Sequence, residues 1–238
     1  MLGIIGGSGF YKTVKGEGVH IETPYGWVRM TFGKLAGKQV AFMARHGEGH
    51  AVPPHGINHR ANIYAMREIN AGKVVGINAC GILSRFKPGE LMTIDDFLAF
   101  HLGPVTFYDS FRYGAKHTDM SEPYSKELNG LIARAGRKAK TKVRGGGIVA
   151  NSFGPRFETP AEIRAFKKMG TNLISMTSAY EAILAREIGV RYASLAIGTN
   201  YAAGLSRKPL SHEEVIGVME RSERKVMKVM EELARMGD

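Results

Sequence analysis

Among 238 residues there is one cysteine, Cys80, so no disulfide can form within the chain. That absence fits a reducing compartment and excludes the disulfide-stapled secreted domains. No apolar run reaches membrane-spanning length, and Met1 leads straight into an apolar strand pattern rather than a signal peptide. The expectation is a cytoplasmic protein with no membrane partner. Acidic residues are also scarce: 22 Asp and Glu against 33 Lys and Arg leave a formal net charge of +11. Such a balance favours anionic ligands without choosing among phosphate, nucleic acid and membrane surface. The densest basic stretch runs through Arg134, Arg137, Lys138, Lys140, Lys142 and Arg144. It has no interleaved aromatics on which bases could stack, so it reads as the solvated end of a helix plus a loop, and no nucleic-acid partner is expected. One cysteine and scattered histidines give no metal-ligand spacing, and a Walker-type phosphate loop is absent.

What is present alternates between two periods. Short apolar runs read as strands at Leu2–Ile5, Val28–Phe32, Gln39–Ala44, Val74–Ile77, Leu91–Ile94, Gly147–Ala150, Leu173–Ser175 and Tyr192–Ile197. Helical patterns lie between several of them, over Asn58–Ala71 and around Leu128, Leu131, Ile132 and Ala135. Thr159-Pro160-Ala161-Glu162 is a capping box with proline at the first helical position, and Ser211-His212-Glu213-Glu214 repeats that logic before the last helix. That helix has an apolar face of Val215, Val218, Met219, Val226, Met230 and Leu233. No repeat or linker divides the chain. The expectation is one α/β domain over residues 1–238, with a central mixed, largely parallel twisted sheet flanked by helices.

In such folds ligands bind at the carboxyl ends of strands. After the first strand comes Gly6-Gly7-Ser8-Gly9, where backbone N–H groups and a hydroxyl can cradle an anion, or where a tight turn simply needs glycine at positive φ. Later strands run into Arg45-His46-Gly47, Asn78-Ala79-Cys80-Gly81, Met176-Thr177-Ser178 and Gly198-Thr199-Asn200-Tyr201. Small hydroxyls, an Arg and a His suit an oxyanion. A dinucleotide fingerprint begins at Gly7-x-Gly9, but Lys12 stands where its third glycine belongs, and Thr13–His20 lacks a helical period.

Gly6-Gly7-Ser8-Gly9, Arg45-His46-Gly47 and Met176-Thr177, with Asn58-His59-Arg60-Ala61-Asn62 and Gly154-Pro155-Arg156-Phe157-Glu158-Thr159, resemble the trimeric purine nucleoside phosphorylase and methylthioadenosine phosphorylase family, over nearly the whole chain. The resemblance implies phosphorolysis, in which inorganic phosphate displaces a purine from C1′ of a ribonucleoside. It implies no cofactor and no metal; phosphate is a co-substrate. Carried over, Ser8, Arg45, His46, Asn78, Ala79 and Thr177 would hold phosphate. Asn200 and His46 would be catalytic, and Met176, Phe157, Asn200, Tyr201 and Ala202 would hold the nucleoside, although a methionine is also ordinary core.

The methylthioadenosine branch has Asp at the position of Asn200 and again two residues on, where this chain has Ala202. An amide can donate to O6 and N7 of a 6-oxopurine. Glu158 resembles the glutamate that accepts from N1–H of the base, and is equally an acidic residue before a helix cap. His212 matches a histidine near the 5′-hydroxyl, and is equally a first-turn helix residue. The expected substrates are therefore inosine and guanosine, with methylthioinosine or methylthioadenosine as the alternative. His117 resembles a residue that closes the site from a neighbouring subunit, which implies a homotrimer or a dimer of trimers. Rivals of other classes are a non-catalytic nucleotide-binding module and a nucleosidase.

Overall fold

Five consecutive buried residues, Leu2–Gly6, form β1, which pairs in parallel with β4 (Lys38–Ala44) on one side and β5 (Lys73–Ile82) on the other. A strand covered on both faces needs no polar alternation, which is why β1 reads as a continuous apolar run. Leu2 and Ile4 join one core with Val40, Phe42, Val75 and Ile77, while Ile5 joins another with Ala41, Met43 and Val74. The computed structural model describes residues 1–237 apart from 11–13, 101 and 113.

Beyond β4 the sheet continues as a meander through β3 (Gly26–Leu35) to β2 (Gly16–Thr23), both antiparallel. Beyond β5 it closes on itself. β5 pairs with β8 (Leu173–Ser175), β8 with β7 (Val143–Asn151), β7 with β6 (Leu91–Leu98), and β6 with β9 (Tyr192–Tyr201), which returns to β5. Parallel pairings outnumber antiparallel ones by five to four, so the sheet is mixed with only a narrow parallel majority.

Among the described residues, five α-helices cover the sheet: α1 (His59–Glu68), α2 (Lys126–Lys138), α3 (Pro160–Lys168), α4 (Ser178–Glu187) and α5 (His212–Arg235). The capping box at Thr159 and Glu162 forms as expected, and Ser211 caps α5 by accepting from the Glu214 N–H at 3.2 Å. The α5 stripe of Val215, Met219, Val226, Met230 and Leu233 is buried against the β1 core. Each such side chain removed from water contributes about 1.5–3 kcal/mol.

Three features depart from the sequence reading. β2 carries mostly exposed polar residues and lacks the apolar run by which strands were recognised. α4 buries Ser178, Ala179, Glu181, Ala182, Leu184 and Ala185, too nearly all round to show a two-faced stripe. β5 and β9 also run on through the segments read as post-strand loops, to Ile82 and Tyr201.

Candidate active site

A cavity of about 430 Å³ opens where β1, β4, β5, β8 and β9 converge. Ser8 and Arg45 share its wall because β1 ends beside β4, with Gly6 opposite Ala44 and the Arg45 N–H donating to the Gly6 carbonyl at 2.9 Å. Gly7 allows that approach. A Cβ there would lie 2.6 Å from the Ile77 carbonyl oxygen and 2.8 Å from Arg45 Nη1.

Thr177 enters the wall from the start of α4, and Ala79 from β5. Asn78 lies behind them rather than in the wall. Its Nδ2 donates to Thr177 Oγ1 at 3.0 Å and its Oδ1 accepts from Ser194 Oγ at 3.0 Å. Asn78 thereby supplies one of the bonds Thr177 Oγ1 can accept, leaving the threonine's own proton to donate elsewhere.

His46 lines the same wall, with Nδ1 2.9 Å from the Val52 carbonyl. A carbonyl only accepts, so Nδ1 carries the ring proton. Burial, reinforced by the Arg45 cation, pushes the His46 pKa down to about 3. At neutral pH the imidazole is therefore uncharged and its Nε2 is an acceptor. The His46 ring stacks on His50 at 4.3 Å between centroids, and His50 lies 4.9 Å from His212. His50 escaped notice in the sequence, although it closes the Gly-Glu-Gly-His continuation of the Arg45-His46 motif.

Met176, Phe157, Glu158, Asn200 and Ala202 also line the cavity. Met176 packs on Gly154, where a Cβ would meet its sulfur at 2.7 Å. Glu158 is buried and accepts from Ser152 Oγ. Burial raises its pKa against the opposing pull of that bond.

Asn200 owes its aim to a β-bulge. Gly198 pairs with Cys80 but Asn200 pairs with Gly81, so Thr199 is an extra residue on β9. In a regular strand consecutive side chains face opposite ways, whereas a bulge re-aims them. Here Thr199 and Asn200 both line the cavity. Thr199 Oγ1 lies 2.8 Å from Asn200 Oδ1, and Asn200 Nδ2 donates to the Tyr201 carbonyl at 3.2 Å.

Tyr201, expected against the substrate, does not line this cavity; it is the next residue along the strand and is 40% exposed. His117 is exposed and also absent from the wall, with its ring 5.4 Å from that of Phe111. Among the described residues, no group of three or more His, Cys, Asp or Glu side chains could hold a metal ion, and no helix is long and apolar enough to cross a membrane.

The family model described as the phosphorylase superfamily matches residues 2–235. A 6-oxopurine nucleoside phosphorylase of Pyrococcus furiosus is 40% identical over 238 residues, covering 96% of this chain and 90% of that protein. A protein of Methanopyrus kandleri described as a probable S-methyl-5′-thioinosine phosphorylase is 38% identical over 233 residues, covering 97% and 90%. Among solved structures, methylthioadenosine phosphorylase from Schistosoma mansoni in complex with adenine superposes with a TM-score of 0.90 at 29% identity, covering 99% of this chain and 91% of that one.

Proposed function

This chain belongs to the phosphorylase superfamily, and on that footing we infer that it catalyses phosphorolysis of 6-oxopurine ribonucleosides, inosine and guanosine, to free base and ribose 1-phosphate. The observation that carries the reading is the orientation of Asn200. The Tyr201 carbonyl accepts only, so the atom facing it is the amide nitrogen, while the Thr199 hydroxyl serves the amide oxygen. The remaining amide proton suits O6 or N7 of a 6-oxopurine, and Glu158 stands in the same wall to accept from N1–H.

Phosphate sits against Ser8, Arg45, Ala79 and Thr177, with Asn78 acting through Thr177. The neutral His46 Nε2 accepts a hydrogen bond from the hydroxyl of hydrogenphosphate, which keeps its proton. As the purine departs, positive charge grows on the ribose and negative charge on the base. The anion stabilises the first and Asn200 the second, a preorganised donor of this kind contributing on the order of 3 kcal/mol. No metal or cofactor takes part, and the enzyme works in the cytoplasm as a homotrimer or dimer of trimers, with His117 serving a neighbouring subunit's site. Exposed Phe100, Phe111 and Phe153 support such an assembly by leaving apolar surface to cover.

Methylthioinosine is the second reading for the 5′ end, because Leu210 and Val215 flank His212 in the cavity wall. Inosine cleavage measured with and without phosphate tests the reaction class. Release of hypoxanthine only when phosphate is present is expected; equal release without it indicates a nucleosidase, and none at all a binding module. Rates on methylthioinosine then rank the 5′ group.

A further inference from the structure

The positive charge in the anion wall is already matched. Arg45 donates from Nε to Glu181 Oε1 and from Nη2 to Oε2, the latter at 3.0 Å, and from Nη1 to the Ile77 carbonyl at 2.9 Å. The two side chains are 1% and 0% exposed. Tyr192, at the start of β9, donates its hydroxyl to Glu181 Oε2. Glycine makes room for the group: a Cβ on Gly76 would lie 2.1 Å from Tyr192 Oη and 2.8 Å from Glu181 Oε2. Burial opposes both charges, yet each partner outweighs it, so Glu181 stays ionised below its ordinary range and Arg45 stays charged. Among the described residues, three of the five guanidinium N–H groups are committed, which leaves one on each Nη for a ligand.

We propose that Glu181 and Tyr192 are positioning residues for the phosphate site: they fix the plane of the Arg45 guanidinium and cancel its charge, so that phosphate is held by aimed hydrogen bonds in an electroneutral wall. An uncancelled Arg45 would bind the anion tightly in the ground state and draw off its negative charge. With that charge cancelled, the anion's own charge remains available to the ribosyl cation that develops as the base leaves, which is binding realised in the transition state. Tyr192 tunes the balance, since its donation withdraws charge from the carboxylate that faces Arg45. The inference rests on the phosphorolysis reading given above.

Two substitutions move phosphate affinity in opposite directions. Glu181→Gln unmasks Arg45, so the phosphate KM and the inhibition constant of sulfate fall about tenfold while kcat falls. Tyr192→Phe leaves Glu181 bare of its third donor, so the phosphate KM rises about threefold with kcat per folded enzyme nearly constant. A merely structural role lowers the active fraction and leaves both constants alone. Phosphate constants within twofold of the parent in the folded variants, or a rise in Glu181→Gln, overturn the proposal. If Glu181→Gln yields no folded protein, Tyr192→Phe decides alone: a raised constant supports the proposal and an unchanged one overturns it. Calorimetric titration with inorganic phosphate reads the same constants without turnover. An enzyme that binds phosphate yet releases no base from inosine therefore refutes the proposed reaction and leaves this inference standing or falling on its own data.

Discussion

Asn200 has one amide proton left for the cavity because its neighbours occupy its other polar atoms, with Thr199 on the oxygen and the Tyr201 carbonyl accepting from the nitrogen. A carboxylate in the same place would set an acceptor against that carbonyl and offer no proton to O6. Asn200→Asp is therefore expected to lower kcat/KM for inosine by about 10²–10³-fold and to shift the inosine-to-adenosine ratio toward adenosine. Steady-state rates on the two nucleosides check it; an unchanged ratio removes Asn200 from its assigned role. That Ser8, Arg45, His46, Thr177 and Asn200 share one cavity wall could be anticipated from the sequence because each stands near a strand end in a recognisable short motif. Glu181 was not, since a carboxylate among Ser, Ala and Tyr on a helix without a polar face reveals no partner 136 residues away. The outward turn of Tyr201 was equally hidden, because a bulge leaves no local mark in the residue pattern.

The first turn of α5 belongs to the site as much as to the core, since His212 and Val215 both line the cavity. Its geometry depends on Ser211, whose hydroxyl accepts from the Glu214 N–H. Ser211→Ala is expected to destabilise the protein by about 1 kcal/mol. It should also change the ratio of inosine to methylthioinosine turnover several-fold while leaving the phosphate KM alone, because the anion wall is built on other elements. Thermal melts and paired substrate kinetics measure the two effects. Elements with caps or a single apolar face, such as α3 and α5, could be read directly from sequence. α4 is buried on too many sides and β2 is too polar, so neither has the contrast between faces on which such reading depends.

Across the whole molecule, two buried histidines couple stability to pH. His59 stacks on Tyr180 at 4.8 Å, neither ring nitrogen has a hydrogen-bond partner among the described residues, and burial pushes its pKa down from 6.5 to about 4. His46 is held lower still, at about 3. Both are neutral in the fold and take up a proton on unfolding below pH 6.5. Their contribution is thus complete above pH 6.5 and is lost as pH falls toward the folded values. For His59 it amounts to roughly 3 kcal/mol. Calorimetric melts between pH 4 and 8 should show Tm falling below pH 6.5, and His59→Phe should flatten that slope; an identical slope in the variant removes His59 as its source. The strands themselves could be found one by one, but not their closure into a ring, because pairing β5 with β9 joins residues more than a hundred positions apart.

That closure has a consequence for how copies of the chain meet. A ring has no unpaired margin, so the open edge of the described sheet falls to β2. Unpaired backbone there is a template for another chain's strand, the route by which sheets aggregate. β2 carries Glu17, His20 and Glu22 along that margin and buries only Thr23. The strand whose polarity hid it from view is the one whose polarity keeps the sheet from growing.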